Sequence, residues 1–479
     1  MNLTYDRQIK EWIQENKEEI IKEWIGICKT PAIKSEVAEN APFGKECAKA
    51  LRECTDLFKN HGFDTEICEK SGYSLVSFGQ GEKTIGIFTH SDVVPVGEDW
   101  LYTKPFEPIV KDGALIGRGV EDNKSGIMAS LCAMEFFRKY NIPIKSRIQL
   151  FIGSNEETGM EDIMAFAKER PNPDISLIPD AEFPCSTGEK GICQFYATSC
   201  EKLEEIVDFC GGEAFNIVLD KATATLKLTE PLLTEVTENA KLNNDISVKA
   251  EDGKIFILAK GIAKHASTPE GSVNAAHIIA EFLSNITALG ENDRKIMKDA
   301  AHILSCPFGT SMGIDFCDDL FGRLTFVNGI VKIDGGKLKL SFDMRYSSVL
   351  DAEKLIDRTE DAFKKLGWSI CVEDNKPGFS IDEGSRIPGL FEEIYKEVTG
   401  FEKKSFKLGG GTYARNIKNA FSVGTFTDTK ERKTPILKMP PGHGGAHQCD
   451  EMIDIESFFA AVRVIIHYLV AMDEEINKI

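Results

Sequence analysis

Between Ile85 and Ile178 short apolar runs alternate with longer stretches of helical period, and this alternation allows few folds. Ile85-Gly86-Ile87-Phe88-Thr89, Arg147-Ile148-Gln149-Leu150-Phe151-Ile152 and Ser176-Leu177-Ile178 read as strands, and residues 126–140 and 162–168 between them as helices. Strands joined through helices form right-handed crossovers and a mostly parallel sheet covered on both faces. The expected class is therefore α/β. The same character returns near the end, with a strand over 420–426 and an apolar helix over 458–472. At the start, Ile9, Trp12, Ile13, Ile20, Ile21, Trp24 and Ile25 share one helical face, and a second helix is expected over 44–61.

The middle of the chain differs. Lys254-Ile255-Phe256-Ile257-Leu258-Ala259-Lys260 and Lys337-Leu338-Lys339-Leu340-Ser341-Phe342-Asp343 alternate strictly, and helices are expected over 273–286 and 352–366. The order β-α-β-β-α-β is the split βαβ pattern of an α+β domain with an antiparallel sheet. The organisation expected is an α/β domain over 1–189 and 380–479, interrupted by an inserted α+β domain over 190–379.

Composition removes other classes. Against 57 Lys and Arg stand 76 Asp and Glu, a formal charge of −19, and no basic run offers a face to phosphates, so nucleic acid is not an expected partner. The 42% hydrophobic and 28% charged fractions are those of a globular protein, not a disordered one. Thirteen scattered Cys, with no C-x-x-C, fit reduced and mostly buried thiols rather than a disulfide framework. Met1-Asn2-Leu3-Thr4-Tyr5-Asp6-Arg7 lacks the basic start and apolar core of a secretory signal, so a cytoplasmic protein is expected. The apolar stretch 458–472 carries Arg463 and His467 and reads as a buried helix, too short to span a bilayer.

Acids and histidines collect at the strand ends. His90 and Asp92 follow the first strand, Glu156 and Glu157 the second and Asp180 the third, while Asp122 and His447 sit in Gly-bearing loops that precede helices. In a parallel sheet the carboxyl ends of the strands form the ligand-binding rim. Singly, each signal has an ordinary explanation: an H-x-D arises by chance, paired Glu suit a helix start, and Asp180 could cap a turn. Together, five carboxylates at one rim would repel one another unless cations sat among them. Two His with several Asp or Glu and no Cys suit zinc, and also manganese or cobalt.

At this point the motifs resemble a family. His90-Ser91-Asp92-Val93-Val94-Pro95-Val96-Gly97, Gly117-Arg118-Gly119 with Asp122, Asn155-Glu156-Glu157-Thr158-Gly159 and Pro179-Asp180-Ala181-Glu182-Phe183-Pro184 are similar to the co-catalytic zinc peptidases that include aminoacylase, carnosinase and succinyl-diaminopimelate desuccinylase. Gly188-Glu189-Lys190-Gly191, the Gly409-Gly410-Gly411-Thr412-Tyr413-Ala414-Arg415 loop and the long insert resemble the bacterial dipeptidases of the peptidase V type. The resemblance implies two divalent ions, zinc first. Asp122 would bridge them, His90 and Asp180 would complete one site, and Glu157 and His447 the other. Asp92 would orient His90, and Glu156 would be the general base that moves a proton from the attacking water to the leaving amine. In the inserted domain, which would be a lid, His265 would face the developing oxyanion and Arg345 would grip the substrate carboxylate. Asn216 and the backbone of Gly409, Gly410 and Gly411 would contact substrate. The implied activity is cleavage of short unblocked peptides by a monomer, with no membrane partner.

The chain departs from the family pattern in three places. Asn123 follows Asp122 where a second Asp is common, and is expected to keep the cis peptide found there in relatives. Ser125-Gly126 replaces Gly-Pro, and Cys449 replaces a Pro two residues after His447. Two alternatives stay open: an N-acyl amino acid deacylase of the same superfamily, and a metal-bound protein without catalysis, which would have no need of Glu156.

Overall fold

The computed structural model describes residues 3–382 and 384–478. They form two compact units. The first holds the chain up to Gly188, Ile381–Phe406 and everything from Thr412 onward; the second holds Glu189–Ser380 and Lys407–Gly411. The short segment 407–411 thus groups with the second unit, although it lies in the stretch expected to return to the first. Its backbone explains this: Lys190 N donates to Leu408 O at 3.0 Å and Arg345 Nη1 to Gly409 O at 3.0 Å.

The first unit is built on a mixed sheet. Its strand order is Asp64–Cys68, Tyr73–Phe78, Arg147–Gly153, Thr84–His90, Ile175–Ala181, Ala420–Gly424 and Ser186–Glu189. The four strands from Arg147–Gly153 to Ala420–Gly424 are parallel, and the strands outside them pair antiparallel. The expectation of a mostly parallel sheet is corrected to that extent. Hairpin-linked strands at the edges need no crossover helix, and so show no strand–helix alternation in sequence. The central strand Thr84–His90 is buried along its whole length, as expected where both faces are covered. Helix Lys124–Lys139 makes the crossover to Arg147–Gly153 and is buried from Lys124 to Met134, so it shows little amphipathic signature.

The helix expected over 458–472 runs from Ile455 to Ile476, capped by the Asp454 carboxylate accepting from Ser457 N at 2.8 Å. At 22 residues it is long and apolar enough to cross a bilayer by length and composition, which corrects the shorter reading. Yet 83% of its apolar window is buried, with Phe458 packed on Trp24 at 4.3 Å between ring centroids. Among the described residues no Cys is in a disulfide, but only six of the thirteen are buried, fewer than expected.

Among the described residues the second unit carries two larger antiparallel sheets and a two-stranded one, Cys317–Asp318 with Gly322–Arg323, where one sheet was expected. One of the larger sheets orders Ile206–Cys210, Lys221–Lys227, Lys254–Lys260 and Ile246–Glu251; the other is centred on Gly191–Ser199 paired with Lys337–Tyr346 and Trp368–Lys376. A helix at Glu291–Leu304 was also missed. The core of this unit is its own, with Phe195, Phe326, Phe342 and Phe363 packed ring against ring.

Candidate metal centre

Two loops of the first unit are brought together by a small antiparallel sheet of Ile109–Lys111, Ala114–Ile116 and Met452–Asp454. Met452 pairs with Ile116, so the segment leading to Asp122 and the one carrying His447 lie side by side. His90 pairs with Gly153 in parallel register, which sets the ends of their strands level. The consequence is a cluster at the carboxyl rim of the sheet.

The cluster consists of two donor groups that share one residue. His90, Asp122 and Asp180 form the first, and Asp122, Glu157 and His447 the second. His90 Nε2 stands 3.1 Å from Asp122 Oδ1 and 3.7 Å from Asp180 Oδ2. His447 Nε2 stands 3.0 Å from Asp122 Oδ2 and 3.1 Å from Glu157 Oε2. Asp122 therefore turns one oxygen to each group. Donor atoms about 2.0–2.2 Å from a common zinc lie roughly 3.3 Å from one another, so this spacing fits a cation. Buried atoms point the same way: His90 Nε2, Glu156 Oε1 and Glu157 Oε1 have no hydrogen-bond partner among the described residues.

The charges are mutually frustrated. Burial and the neighbouring Asp180 push Glu156 well above the usual carboxylate range. Burial and Asp122 push Glu157 up and Asp180 up to about 7. Asp122 goes the other way: although burial opposes it, contacts with His447 and His90 hold it far below the usual value. Both imidazoles resist the lowering effect of burial and are driven up by Asp122, His447 to about 11. Ligands must give up protons to bind a metal, so these acids and imidazoles are competing for protons that divalent ions would displace.

The surrounding groups fix the donors. Asn123 Nδ2 donates to Asp180 Oδ1 at 2.8 Å and to Pro179 O at 2.6 Å, so its amide serves the neighbouring carboxylate where an acid would repel it. The Asp122–Asn123 peptide is cis, as expected. A Cβ at position 126 would lie 2.5 Å from Asn123 Oδ1, so a glycine is required beside this amide. His90 Nδ1 lies 3.1 Å from the Asp92 carbonyl and 3.5 Å from its Oδ1. The Asp92 carboxylate also accepts from Glu156 N and Glu157 N, each at 3.2 Å.

Three residues without an expected role shape the site. Fully buried Glu451 accepts from Arg118 Nη1 at 2.7 Å, Gly119 N at 3.1 Å, Glu121 N at 2.9 Å and Asp122 N at 3.1 Å, holding the loop that ends in Asp122. Asp450 accepts from Leu101 N, Tyr102 N and His443 Nδ1, the last at 2.7 Å, which gives His443 an anchoring place beside the His447 loop. The adjacent acids Asp450-Glu451 were the available signal. Cys449 is half-buried with Sγ 3.6 Å from Val96 O.

The other predicted residues belong to the second unit. Ile217 and His265 face each other across a β-bridge and Ala266 N donates to Asn216 O at 2.8 Å, so Asn216 and His265 are neighbours. His265 is exposed, with Nδ1 2.7 Å from Ser267 Oγ. Arg345 is 4% exposed and sets Nε 2.7 Å and Nη2 3.3 Å from the buried Asp343 carboxylate, with Nη1 on Gly409 O. Gly409 and Gly410 therefore lie near Ser267 and Arg345, where a Cβ would meet Ser267 Cβ at 3.1 Å and Arg345 Nη1 at 3.9 Å. Gly411 ends the same segment.

An α/β unit with acids and histidines gathered at its carboxyl rim, in a chain that also holds a separate antiparallel unit, suits a metal-dependent hydrolase. The chain belongs to that class: residues 86–471 match the model of Peptidase family M20/M25/M40, and the protein is a member of that family and a peptide-bond hydrolase. A relative from Staphylococcus aureus strain USA300, provisionally named a dipeptidase, is 28% identical over 439 residues, covering 88% of this chain and 93% of its own. The fold is similar to that of the di-peptidase Dug1p from Saccharomyces cerevisiae, with a TM-score of 0.61, 14% identity and 99% of both chains covered. Human carnosine dipeptidase 1 matches with a TM-score of 0.61, 12% identity and 98% and 99% of the two chains covered.

Proposed function

We propose that the protein is a two-metal dipeptidase that cleaves short unblocked peptides. The observation that carries this reading is Asp122 turning one carboxylate oxygen to each of two His–acid groups. His90, Asp122 and Asp180 would hold one divalent ion and Asp122, Glu157 and His447 a second, zinc being the first choice and manganese or cobalt the alternatives. When bound, such ions supply a Lewis-acidic pole that polarises a carbonyl and acidifies water.

Glu156 stands outside both groups, yet its neighbour Glu157 belongs to one. Burial and adjacent acids raise its proton affinity, which suits a base that takes a proton from the attacking water and returns it to the leaving amine. Asp92, through the Glu156 and Glu157 amides, orients that pair. In the second unit, read as a lid, His265 is assigned to the oxyanion. Asn216 and the Gly409–Gly411 backbone are assigned to substrate contact. Arg345 is assigned to the substrate carboxylate: its contacts use three of the five guanidinium N–H groups, leaving two for such a partner.

Chelator dialysis followed by zinc, cobalt or manganese should abolish and restore cleavage in a panel of dipeptides, tripeptides and N-acyl amino acids. Dipeptides should be the best substrates. Activity that survives chelation defeats the metal reading, and faster turnover of N-acyl amino acids replaces the dipeptidase with a deacylase.

A further inference from the structure

The second strand of the rim, Arg147–Gly153, ends in the turn Ser154-Asn155-Glu156-Glu157, and two buried carboxylates take up all four of its backbone N–H groups. Asp92 accepts from Glu156 N and Glu157 N. Asp162, which is fully buried in the first turn of helix Glu161–Glu169, accepts from Ser154 N at 2.7 Å and Asn155 N at 2.8 Å, both on Oδ2. A third donor reaches the same oxygen: Tyr413 Oη, also fully buried, at 2.6 Å. The Tyr413 ring stands edge-on to His90, with centroids 6.3 Å apart, and to Phe151, 5.4 Å apart. Tyr413 thus stands beside the His90 ring in a T-shaped arrangement and reaches the acid-bearing turn through Asp162.

Position 153 shows how closely the pair is fitted. A Cβ there would lie 2.0 Å from Tyr413 Oη and 2.4 Å from Asp162 Oδ2, so the strand can end under these two groups only as glycine.

We propose that Asp162 and Tyr413 are positioning residues: they fix the backbone of Ser154–Glu157 and so aim Glu156 and Glu157 for the reaction. The roles of those two acids rest on the dipeptidase reading, whereas the clamp itself rests on the hydrogen bonds. Tyr413 acts through Asp162. Removing its hydroxyl leaves Asp162 Oδ2 with two donors instead of three and lets the turn shift. A displacement of about 1 Å at reacting groups costs on the order of 100-fold in rate, so a partial shift should cost about tenfold.

Tyr413→Phe tests this while keeping the ring. Asp162→Asn, which turns an acceptor into a mixed group beneath two amides, is the stronger variant, and Tyr413→Phe keeps the test valid if Asp162→Asn does not fold. The matched control is Tyr468→Phe, which removes a buried hydroxyl of the same unit that donates to Pro184 O and Phe391 O. In the metal-free protein, hydrogen–deuterium exchange of the Ser154–Glu157 amides should speed up at least tenfold in Tyr413→Phe and stay unchanged in Tyr468→Phe. In the metal-loaded protein, kcat on the best dipeptide should fall about tenfold, with KM within twofold and metal content intact. Unchanged exchange in the turn, or a fall in kcat equalled by the control, overturns the proposal. If the wild type cleaves no dipeptide, the dipeptidase reading fails and the exchange measurement still decides the clamp.

Discussion

Glu156 and Glu157 are chemically identical neighbours, and only their surroundings separate them. Glu157 Oε2 meets His447 and belongs to a donor group; Glu156 belongs to neither, and its Oε1 is buried without a partner. Glu156→Gln should therefore lower kcat by about 10²–10⁴-fold, the usual worth of a general base, while elemental analysis finds the same metal content as in the wild type. A rate that survives the substitution would move the base elsewhere. Glu451 makes the complementary case, a buried acid that touches no reacting group. Its carboxylate compensates the buried Arg118 guanidinium and three backbone amides. Glu451→Gln leaves that guanidinium uncompensated and should cost about 3 kcal/mol or more in urea unfolding, the range for breaking a buried pair. A loss below about 1 kcal/mol would mean that Arg118 finds another partner.

Among the elements, the first and last helices of the chain are joined by charge. Arg463, on helix Ile455–Ile476, donates Nε to Asp6 Oδ1 at 3.0 Å and Nη2 to Asp6 Oδ2 at 3.2 Å, at the start of helix Asp6–Ile27. His467 Nε2 stands 3.9 Å away, an ion-pair distance rather than a hydrogen bond. Burial works to raise the Asp6 carboxyl, but His467 and the Arg463 charge hold it below the ordinary range. A depressed carboxyl contributes stability above its unfolded pKa of about 3.9 and loses it as pH falls toward the folded value. Asp6→Asn should thus be less stable than the wild type by about 1–2 kcal/mol at pH 7, the lower end because Asp6 is partly solvated, and the gap should close below about pH 4. A gap that widens on acidification would contradict the pairing. This link was not legible in sequence, since nothing local marks residues 457 positions apart as partners. The parallel strands were legible, because burial on both faces writes them as continuous apolar runs. Ile206–Cys210 was not, because a bulge between Ile206 and Asp208 breaks its alternation. His90, Asp122, Glu156, Glu157, Asp180 and His447 could be picked out as candidates because acids and histidines recur together after successive strands and in Gly-bearing loops, although each alone has an ordinary structural use. Asp162 and Tyr413 could not, since a buried acid that accepts from backbone amides looks in sequence like any helix-start aspartate.

At the scale of the whole molecule the charge of −19 is unevenly engaged. Five of the acids, Asp92, Asp122, Glu156, Glu157 and Asp180, lie in the first unit around the shared donor groups, and two divalent ions there would bring the formal charge from −19 to −19 + 4 = −15. The second unit has its own core and contributes no residue to either donor group. Binding that favours the folded state stabilises by about 2.7 kcal/mol per site at a hundredfold excess over Kd, so two sites give about 5 kcal/mol. For a unit of this size, with 1 kcal/mol worth about 2 °C, that is a rise of roughly 10 °C in Tm. The gain falls only on the unit that holds the ions. Calorimetry of chelated and zinc-loaded protein should therefore show one transition that moves up by roughly 10 °C and one that stays in place. The moving transition can be assigned independently, because Glu451→Gln lies in the first unit and should lower it without touching the other. If zinc raised both transitions equally, the ions would be stabilising the second unit as well, and the assignment of the whole ligand set to the first unit would fail.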